Sequence, residues 1–267
     1  MTNWLDRITR EISEKLSRDD ARKIINYWRG GYPVREYSID KLSPILIYAK
    51  KIKEYIKHIY NLFKDYNFGC ITGIVGELGG GKTQIGFLIE STLRELNTDL
   101  SISYISLSDK RDIHLIKSKI DELDSPRILI IDEIDAILAQ LSDKEEEKNW
   151  FIQTLGGYLV GNAKEGTGFI LLLTQRSLNE LLLANSSLRR IVSMDIARFV
   201  GRLDRLNDEK VAELAKKILA LMRWSGIFPN LENFPEEYIL NNFFICSLLR
   251  KVPSSPINFN AFHSDGL

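Results

Sequence analysis

The sequence has few of the residues from which disulfide or zinc scaffolds are built. Among 267 residues there are two cysteines, Cys70 and Cys246, and three scattered histidines. Neither cysteine has a second cysteine or a histidine at metal-ligand spacing, which excludes a disulfide framework and a structural zinc site. Because 44% of the residues are hydrophobic, the chain can still bury a core and is not a disordered protein.

The sequence also lacks long apolar runs and net charge. The purest apolar run, Phe169–Leu173, is far too short to cross a bilayer. Asp6 and Arg7 stand where a signal peptide would be apolar. Lys plus Arg and Asp plus Glu both number 36, so bulk charge does not draw the chain to nucleic acid or a membrane. We therefore expect a cytoplasmic protein with no membrane partner, on which any basic surface is local.

The hydrophobic pattern divides the chain into three segments. Residues 1–66 have helical spacing throughout, and the longest predicted helix there is Pro44–Lys64. One side of that helix is basic, which fits either a solvated face or a contact with DNA or another partner. Its four lysines are Lys50, Lys51, Lys53 and Lys57. Residues 67–203 alternate strands with helices, and residues 204–267 return to helical spacing.

The middle segment predicts an α/β fold in which a five-stranded parallel sheet lies between helices. The predicted strands are Cys70–Val75, Ser101–Leu107, Arg127–Ile131, Gly168–Thr174 and Arg198–Leu203. The predicted helices are Lys82–Leu96, Asp112–Glu122, Lys144–Val160 and Leu178–Ala184. Two more helices, Asn207–Trp224 and Pro235–Leu249, are predicted in the last segment.

A glycine-rich loop between the first strand and its helix fits the pattern G-x-x-x-x-G-K-[ST] in full. Glycines let successive backbone N–H groups turn toward a phosphate at the N-terminus of the helix. Lys82 would reach the β- and γ-phosphates, and the Thr83 hydroxyl would ligate Mg²⁺. We predict that ATP is held by Gly76, Glu77, Leu78, Gly79, Gly80, Gly81, Lys82, Thr83 and Gln84.

Two acids end the third predicted strand. Asp132 at the carboxyl end of Arg127–Ile131 would lie beside Thr83 and hold Mg²⁺, and Glu133 would polarise the attacking water. The alternative is that this acidic pair caps a following helix, a role for which Asp135 competes.

Polar residues also follow the fourth predicted strand, which we place between the first and the third. Thr174 or Gln175 at its tip would face the γ-phosphate and report its presence, or would form a turn into the next helix. Further on, Arg189 or Arg190 would act as an arginine finger in a neighbouring subunit. Surface charge or a helix C-terminal cap are the alternatives for this arginine pair.

Together these motifs resemble the P-loop ATPases of the AAA+ class (ASCE type), over about residues 67–250. The stretch 131–135 resembles the Walker B motif of archaeal origin-recognition ATPases, and 21–33 resembles the start of ATP-binding proteins from BREX-type phage-defence systems. The resemblance implies a homo-oligomer with nucleotide at subunit interfaces and a small helical lid. Ile257 stands where the class carries a sensor-2 arginine, which leaves Arg250 as a substitute.

The sequence thus predicts a Mg²⁺-dependent ATPase that binds ATP and ADP and acts on nucleic acid in replication, mobile-element or defence processes. The first alternative is a signalling or defence switch in which ATP binding matters more than turnover. The second is a RecA-like ATPase, which the loop sequence through Gln84 also resembles. A small-molecule kinase ranks last, because the chain has no arginine-rich lid.

Overall fold

Four helices precede a region in which short parallel strands alternate with helices. The computed structural model describes residues 4–30, 32–76, 81–192, 201–203 and 208–227. The helices are α1 Trp4–Ser13, α2 Arg18–Arg29, α3 Ile39–Leu42, α4 Ala49–Asp65, α5 Lys82–Leu96, α6 Ile113–Asp121, α7 Ile134–Gln140, α8 Glu145–Lys164, α9 Gln175–Ala184, α10 Ser186–Val192 and α11 Asp208–Ser225. The strands are β1 Ile71–Gly76, β2 Ser101–Ser106, β3 Arg127–Asp132, β4 Thr167–Leu173 and β5 Gly201–Leu203.

The strands form one parallel sheet in the order β2-β3-β4-β1-β5. Four of them have six or seven residues, whereas β5 has three and pairs with the end of β1. The predicted α/β fold is confirmed in that a parallel sheet lies between helices. The predicted position of the fourth strand between the first and third is also confirmed. Residues 198–200 of the predicted fifth strand lie outside the described residues.

Helices cover both faces of the sheet. Alternate residues of each strand point to opposite faces, so each strand contributes side chains to both layers of packing. Leu129 and Ile131 of β3 belong to a core shared with α6, α7 and α8. The opposite face meets α5, where a Cβ on Gly86 would contact Ile130 and Leu172. Every residue of β4 is buried, which is the pattern of a central parallel strand covered on both sides. The carboxyl edge of the sheet is therefore held on a rigid layer.

Several helix boundaries differ from the predicted ones for local reasons. The bounds of α5 agree with prediction, but α9 begins at Gln175 rather than Leu178, because the Thr174 side chain caps it. Helix α8 runs on to Lys164, where Ala163 is still buried in the core. Within the α/β segment, helices α7 and α10, each of seven residues, were not predicted. The predicted helix Pro235–Leu249 lies outside the described residues.

By packing, the chain forms two compact units. One comprises Met1–Lys50 with Leu206–Leu267, and the other comprises Lys51–Arg205. In the second unit α4 belongs with the sheet, since a Cβ on Gly168 of β4 would meet the ring of Phe63. The division of the chain into domains at 1–66, 67–203 and 204–267 stays a prediction. By packing, the N-terminal and C-terminal segments belong to the same unit. No helix among the described residues is long and apolar enough to span a membrane.

Candidate functional site

The predicted phosphate-binding loop joins β1 to α5 at the carboxyl edge of the sheet. β1 ends at Gly76 and α5 begins at Lys82. Gly81 has φ 82°, a left-handed conformation that glycine adopts without the steric cost borne by other residues. The Lys82 side chain is buried and its Nζ donates to the Gly76 carbonyl at 3.1 Å. Residues 77–80, which include Glu77, Leu78, Gly79 and Gly80, lie outside the described residues.

Thr83 and Asp132 meet across the sheet edge. The Thr83 hydroxyl donates to Asp132 Oδ2 at 2.6 Å. The Tyr104 hydroxyl of β2 donates to the same oxygen, also at 2.6 Å. The Asp132 carboxylate is 4% exposed and also accepts the Glu133 N–H through Oδ1 at 2.7 Å. The structure thus brings together the two residues that the sequence predicts as metal ligands.

A second carboxylate, Asp135, links the loop to the tip of β4. Its Oδ2 lies 3.5 Å from Lys82 Nζ. Its Oδ1 accepts the backbone N–H of Thr174 at 2.8 Å and the Thr174 hydroxyl at 3.0 Å. The side chains of Asp135 and Lys82 are only 13% and 9% exposed, so this ion pair is largely shielded from water. Lys82, Asp135 and Thr174 therefore form one connected network.

Glu133 follows Asp132 in a strained conformation. Its φ is 65°, in the left-handed region that costs a non-glycine residue roughly 1–2 kcal/mol. It occupies the N-cap position of α7 without a side-chain capping bond, and it is exposed. The alternative in which the acids cap a helix through their side chains is therefore not what is observed. Strain of this kind is common at functional sites.

Thr174 joins the site, whereas Gln175 does not. The Thr174 side chain caps α9 by accepting the Ser177 N–H at 3.2 Å while it also contacts Asp135. Gln175 is exposed, and its Nε2 donates to Asn179 within α9 at 3.0 Å. Thr174 thus forms the turn into α9, one of the two roles between which the sequence left a choice, and also contacts Asp135. Its role as a reporter of the γ-phosphate stays a prediction.

The arginine pair lies on α10. Arg189 is exposed and donates to the carbonyls of Leu182 and Leu183 at 2.9 and 2.7 Å, which are the contacts of a helix C-terminal cap. The backbone of Arg190 belongs to α10, but its side chain is outside the described set. Gln84 lies in the first turn of α5 and is half-buried.

Two residues of this cluster, Asp135 and Tyr104, were not predicted as part of the site, and Asp135 was expected only as a candidate helix cap. For Asp135 a signal was present, because an acid three residues after Asp132 falls in the first turn of the helix that follows β3 and so stays near the sheet edge. For Tyr104 the signal was weaker. Its position two residues before the end of β2 places it beside β3 only once the register between the strands is known, in which it pairs with Ile130.

Mg²⁺ fits the donor set at Thr83 and Asp132. Both side chains offer oxygen atoms, which Mg²⁺ prefers, and Mg²⁺ is usually held by one or two protein ligands with waters and phosphates completing its shell. Among the described residues, no group of three or more His, Cys, Asp or Glu side chains forms an all-protein metal site. The N-terminus of the fifteen-residue helix α5 adds positive potential for an anion at the loop.

No protein-family model matches the chain, and no curated protein matches it either. Among solved structures, domain III of the replication initiation protein DnaA from Thermotoga maritima is similar to it at 16% sequence identity and a TM-score of 0.42. The likeness covers 82% of this chain and 97% of that chain. A similarity at this level decides nothing about function.

Proposed function

We propose that the chain binds ATP with Mg²⁺ at the carboxyl edge of the sheet and hydrolyses it. The observation that carries the proposal is the 2.6 Å contact between Thr83 Oγ1 and Asp132 Oδ2. The two residues come from the glycine-rich loop and from a separate acidic strand end, and each motif alone predicts the same metal. Their meeting supports a single nucleotide site over two coincidental patterns.

Each residue has a distinct role in this site. Thr83 and Asp132 would hold Mg²⁺, which supplies charge neutralisation at the phosphates. Lys82 would exchange its contact with Asp135 for oxygens of the β- and γ-phosphates. Gly81 allows the loop to turn so that N–H groups at the start of α5 face the β-phosphate. Asp135 and Thr174 would then register whether Lys82 is engaged with the nucleotide.

Glu133 is proposed as the general base. Its exposed carboxylate would take a proton from the attacking water while the water oxygen bonds to the γ-phosphorus and ADP leaves. Glu133→Gln should lower turnover by at least about 100-fold, the lower bound for loss of a general base, and should leave ATP affinity within a few-fold. Steady-state ATPase rates and calorimetric titration with ATP measure the two effects.

A matched control for this change is Glu165→Gln, because Glu165 is also an exposed glutamate of the same unit. Its turnover should equal that of the unaltered chain. Undiminished turnover in Glu133→Gln would remove Glu133 from the mechanism. Loss of ATP binding in Lys82→Ala, measured in parallel, tests the site itself.

We further propose an AAA+-like homo-oligomer in which one subunit's arginine completes the neighbour's site. Since Arg189 already donates to two carbonyls of its own chain, Arg190 is the better candidate for this role. Light scattering with and without ATP tests assembly. Mixing Glu133→Gln with Arg190→Ala should restore turnover if the arginine acts on a neighbouring site, and no recovery would contradict this arrangement.

Nucleic acid is the proposed partner on which ATP turnover acts. The support is the basic side of α4, where Lys50, Lys51 and Lys57 are exposed. Stimulation of the ATPase rate by single- or double-stranded DNA tests it. The resemblances to archaeal origin-recognition ATPases, to BREX-type proteins and to RecA-type recombinases stay predictions.

The second candidate function is an ATP-dependent switch in which binding matters more than turnover. The observation that favours it is the Lys82–Asp135–Thr174 network, because nucleotide binding at Lys82 would change the contacts at the start of α9. Turnover that is slow and unaffected by DNA, together with a nucleotide-dependent change in α9, would favour the switch over the motor-like ATPase.

A further inference from the structure

Arginine side chains line a cavity of about 560 Å³ in the unit formed by Met1–Lys50 and Leu206–Leu267. It lies between α1, the start of α2 and the end of α11. The lining residues used below are Thr9, Arg10, Arg18, Arg223, Trp224 and Asp6. The volume is within the range of small-ligand sites. None of these residues belongs to the proposed ATP site.

Contacts around the cavity fix the orientation of its cationic groups. The Arg18 guanidinium lies over the Trp224 ring at 5.1 Å from the centroid. Trp224 is itself held, because its Nε1 donates to the Leu16 carbonyl at 2.9 Å. A guanidinium that is attracted to an aromatic ring in this way can still donate its N–H groups to an acceptor. Arg18 is thus held beside the cavity by Trp224 before any ligand arrives.

The cavity has an excess of positive charge. Arg223 is paired with Asp6 at 2.6 Å. Within the described ranges, neither Arg10 nor Arg18 forms an ion pair with a carboxylate. Three arginines therefore line this space against one carboxylate, that of Asp6. Planar guanidinium groups match the paired oxygens of phosphate and carboxylate, and phosphate adds a higher charge and a third oxygen.

Thr9 also lines the cavity, one residue before Arg10 on α1. Its hydroxyl oxygen is shielded from solvent and has no hydrogen-bond partner among the described residues. A ligand in the solvent-accessible space would therefore be held by the arginines of the cavity rather than by the Thr9 hydroxyl.

We propose that this cavity binds a phosphate group, carried by a small phosphorylated molecule or by a nucleic-acid strand. Arg10 and Arg18 would donate to the phosphate oxygens, and Trp224 would keep Arg18 in place. The cavity would give the chain a second anion site, chemically distinct from the glycine-rich loop, since it relies on guanidinium groups rather than on backbone N–H groups.

The test uses the full chain with Lys82→Gln, so that the proposed ATP site does not bind the probes. Inorganic pyrophosphate and a short single-stranded oligonucleotide are titrated calorimetrically. Arg10→Gln and Arg18→Gln should each weaken binding of the preferred probe at least tenfold. Arg7→Gln is the matched control, because Arg7 is an exposed arginine of the same helix that does not line the cavity. It should bind within twofold of the parent.

Each outcome either supports the proposed phosphate site and identifies the kind of ligand, or contradicts the site. Tighter binding of pyrophosphate identifies a small phosphorylated ligand, and tighter binding of the oligonucleotide identifies a strand; both support the site. Absence of saturable binding to either probe would overturn it. An equal loss with Arg7→Gln would overturn it too, because bulk charge would then explain the effect. Arg10 is exposed, so Arg10→Gln should fold even if Arg18→Gln does not, and thermal melting of each variant checks this.

Discussion

Asp135 offers the sharpest test of the proposed nucleotide site, because it is the counter-ion of Lys82 in the structure. Asp135→Asn removes the negative charge but keeps an amide oxygen that can accept from Thr174. The ion pair spans 3.5 Å and both side chains are nearly buried. Breaking a buried pair costs about 3–5 kcal/mol. Since Asp135 keeps some contact with water, we expect the free energy of unfolding to fall by about 3 kcal/mol, the lower end of that range.

ATP should reverse most of this loss. When phosphate oxygens surround the Lys82 ammonium, they replace the missing carboxylate as its counter-charge. The bound variant therefore lacks the penalty that the free variant carries, and ATP affinity must rise by the same free energy. A difference of about 3 kcal/mol corresponds to roughly 100-fold in the dissociation constant. We expect a gain between about tenfold and that limit.

The assay combines urea denaturation, with and without ATP and Mg²⁺, with calorimetric titration of ATP. Asp124→Asn is the control, since Asp124 is an exposed aspartate of the same unit, and it should change neither quantity. If Asp135→Asn lost stability without any gain in ATP affinity, Lys82 would not exchange Asp135 for phosphate. An unchanged stability would show that the ion pair contributes nothing to the folded state.

Three further changes test packing and charge away from the site. Gly156→Ala should lower the free energy of unfolding by about 2 kcal/mol, because its Cβ would overlap the buried Asn185 side chain. Gly157→Ala on the same helix would meet no atom of the described residues within 4 Å. It should therefore raise the free energy of unfolding by about 0.5–1 kcal/mol through helix propensity, and urea denaturation measures both effects. Tyr37 donates to Asp20 at 2.7 Å and thereby holds the pKa of that carboxyl below its usual 3.8. Tyr37→Phe should therefore lower the free energy of unfolding by about 1 kcal/mol at neutral pH. This loss should shrink as the pH falls below 3.8, because a depressed carboxyl pKa stabilises the fold only above that range. Equal losses of unfolding free energy at pH 7 and pH 3 would contradict this.

The glycine-rich loop between β1 and α5 could be recognised from the sequence because its residues are contiguous. From Gly76 to Thr83 the chemistry depends on spacing along one loop, and the strand and helix on either side follow from hydrophobic periodicity. Asp132 was predictable for a related reason, since the carboxyl ends of parallel strands meet at one edge of the sheet. The start of α5 was predicted correctly because Gly81 and Lys82 mark it without ambiguity.

The remaining contacts depend on geometry that spacing does not encode. Tyr104 reaches Asp132 because β2 pairs with β3 in one particular register. Asp135 reaches Thr174 because α7 leaves the strand end at an angle set by the left-handed Glu133. For Arg189 the sequence left finger and cap open, and its contacts with two carbonyls follow from the tight turn between α9 and α10.

The strand order also has a consequence for how the site comes into being. β1 and β3 are separated in space by β4, which follows both of them in the chain. Contacts between segments distant in sequence form late, because the intervening chain must be closed into a loop first. As the polypeptide leaves the ribosome, Lys82 and Asp132 emerge long before the strand that sets their spacing. If the proposed site is correct, ATP has nowhere to bind until Leu173 has been made, and nucleotide binding reports that the four strands β1 to β4 have paired.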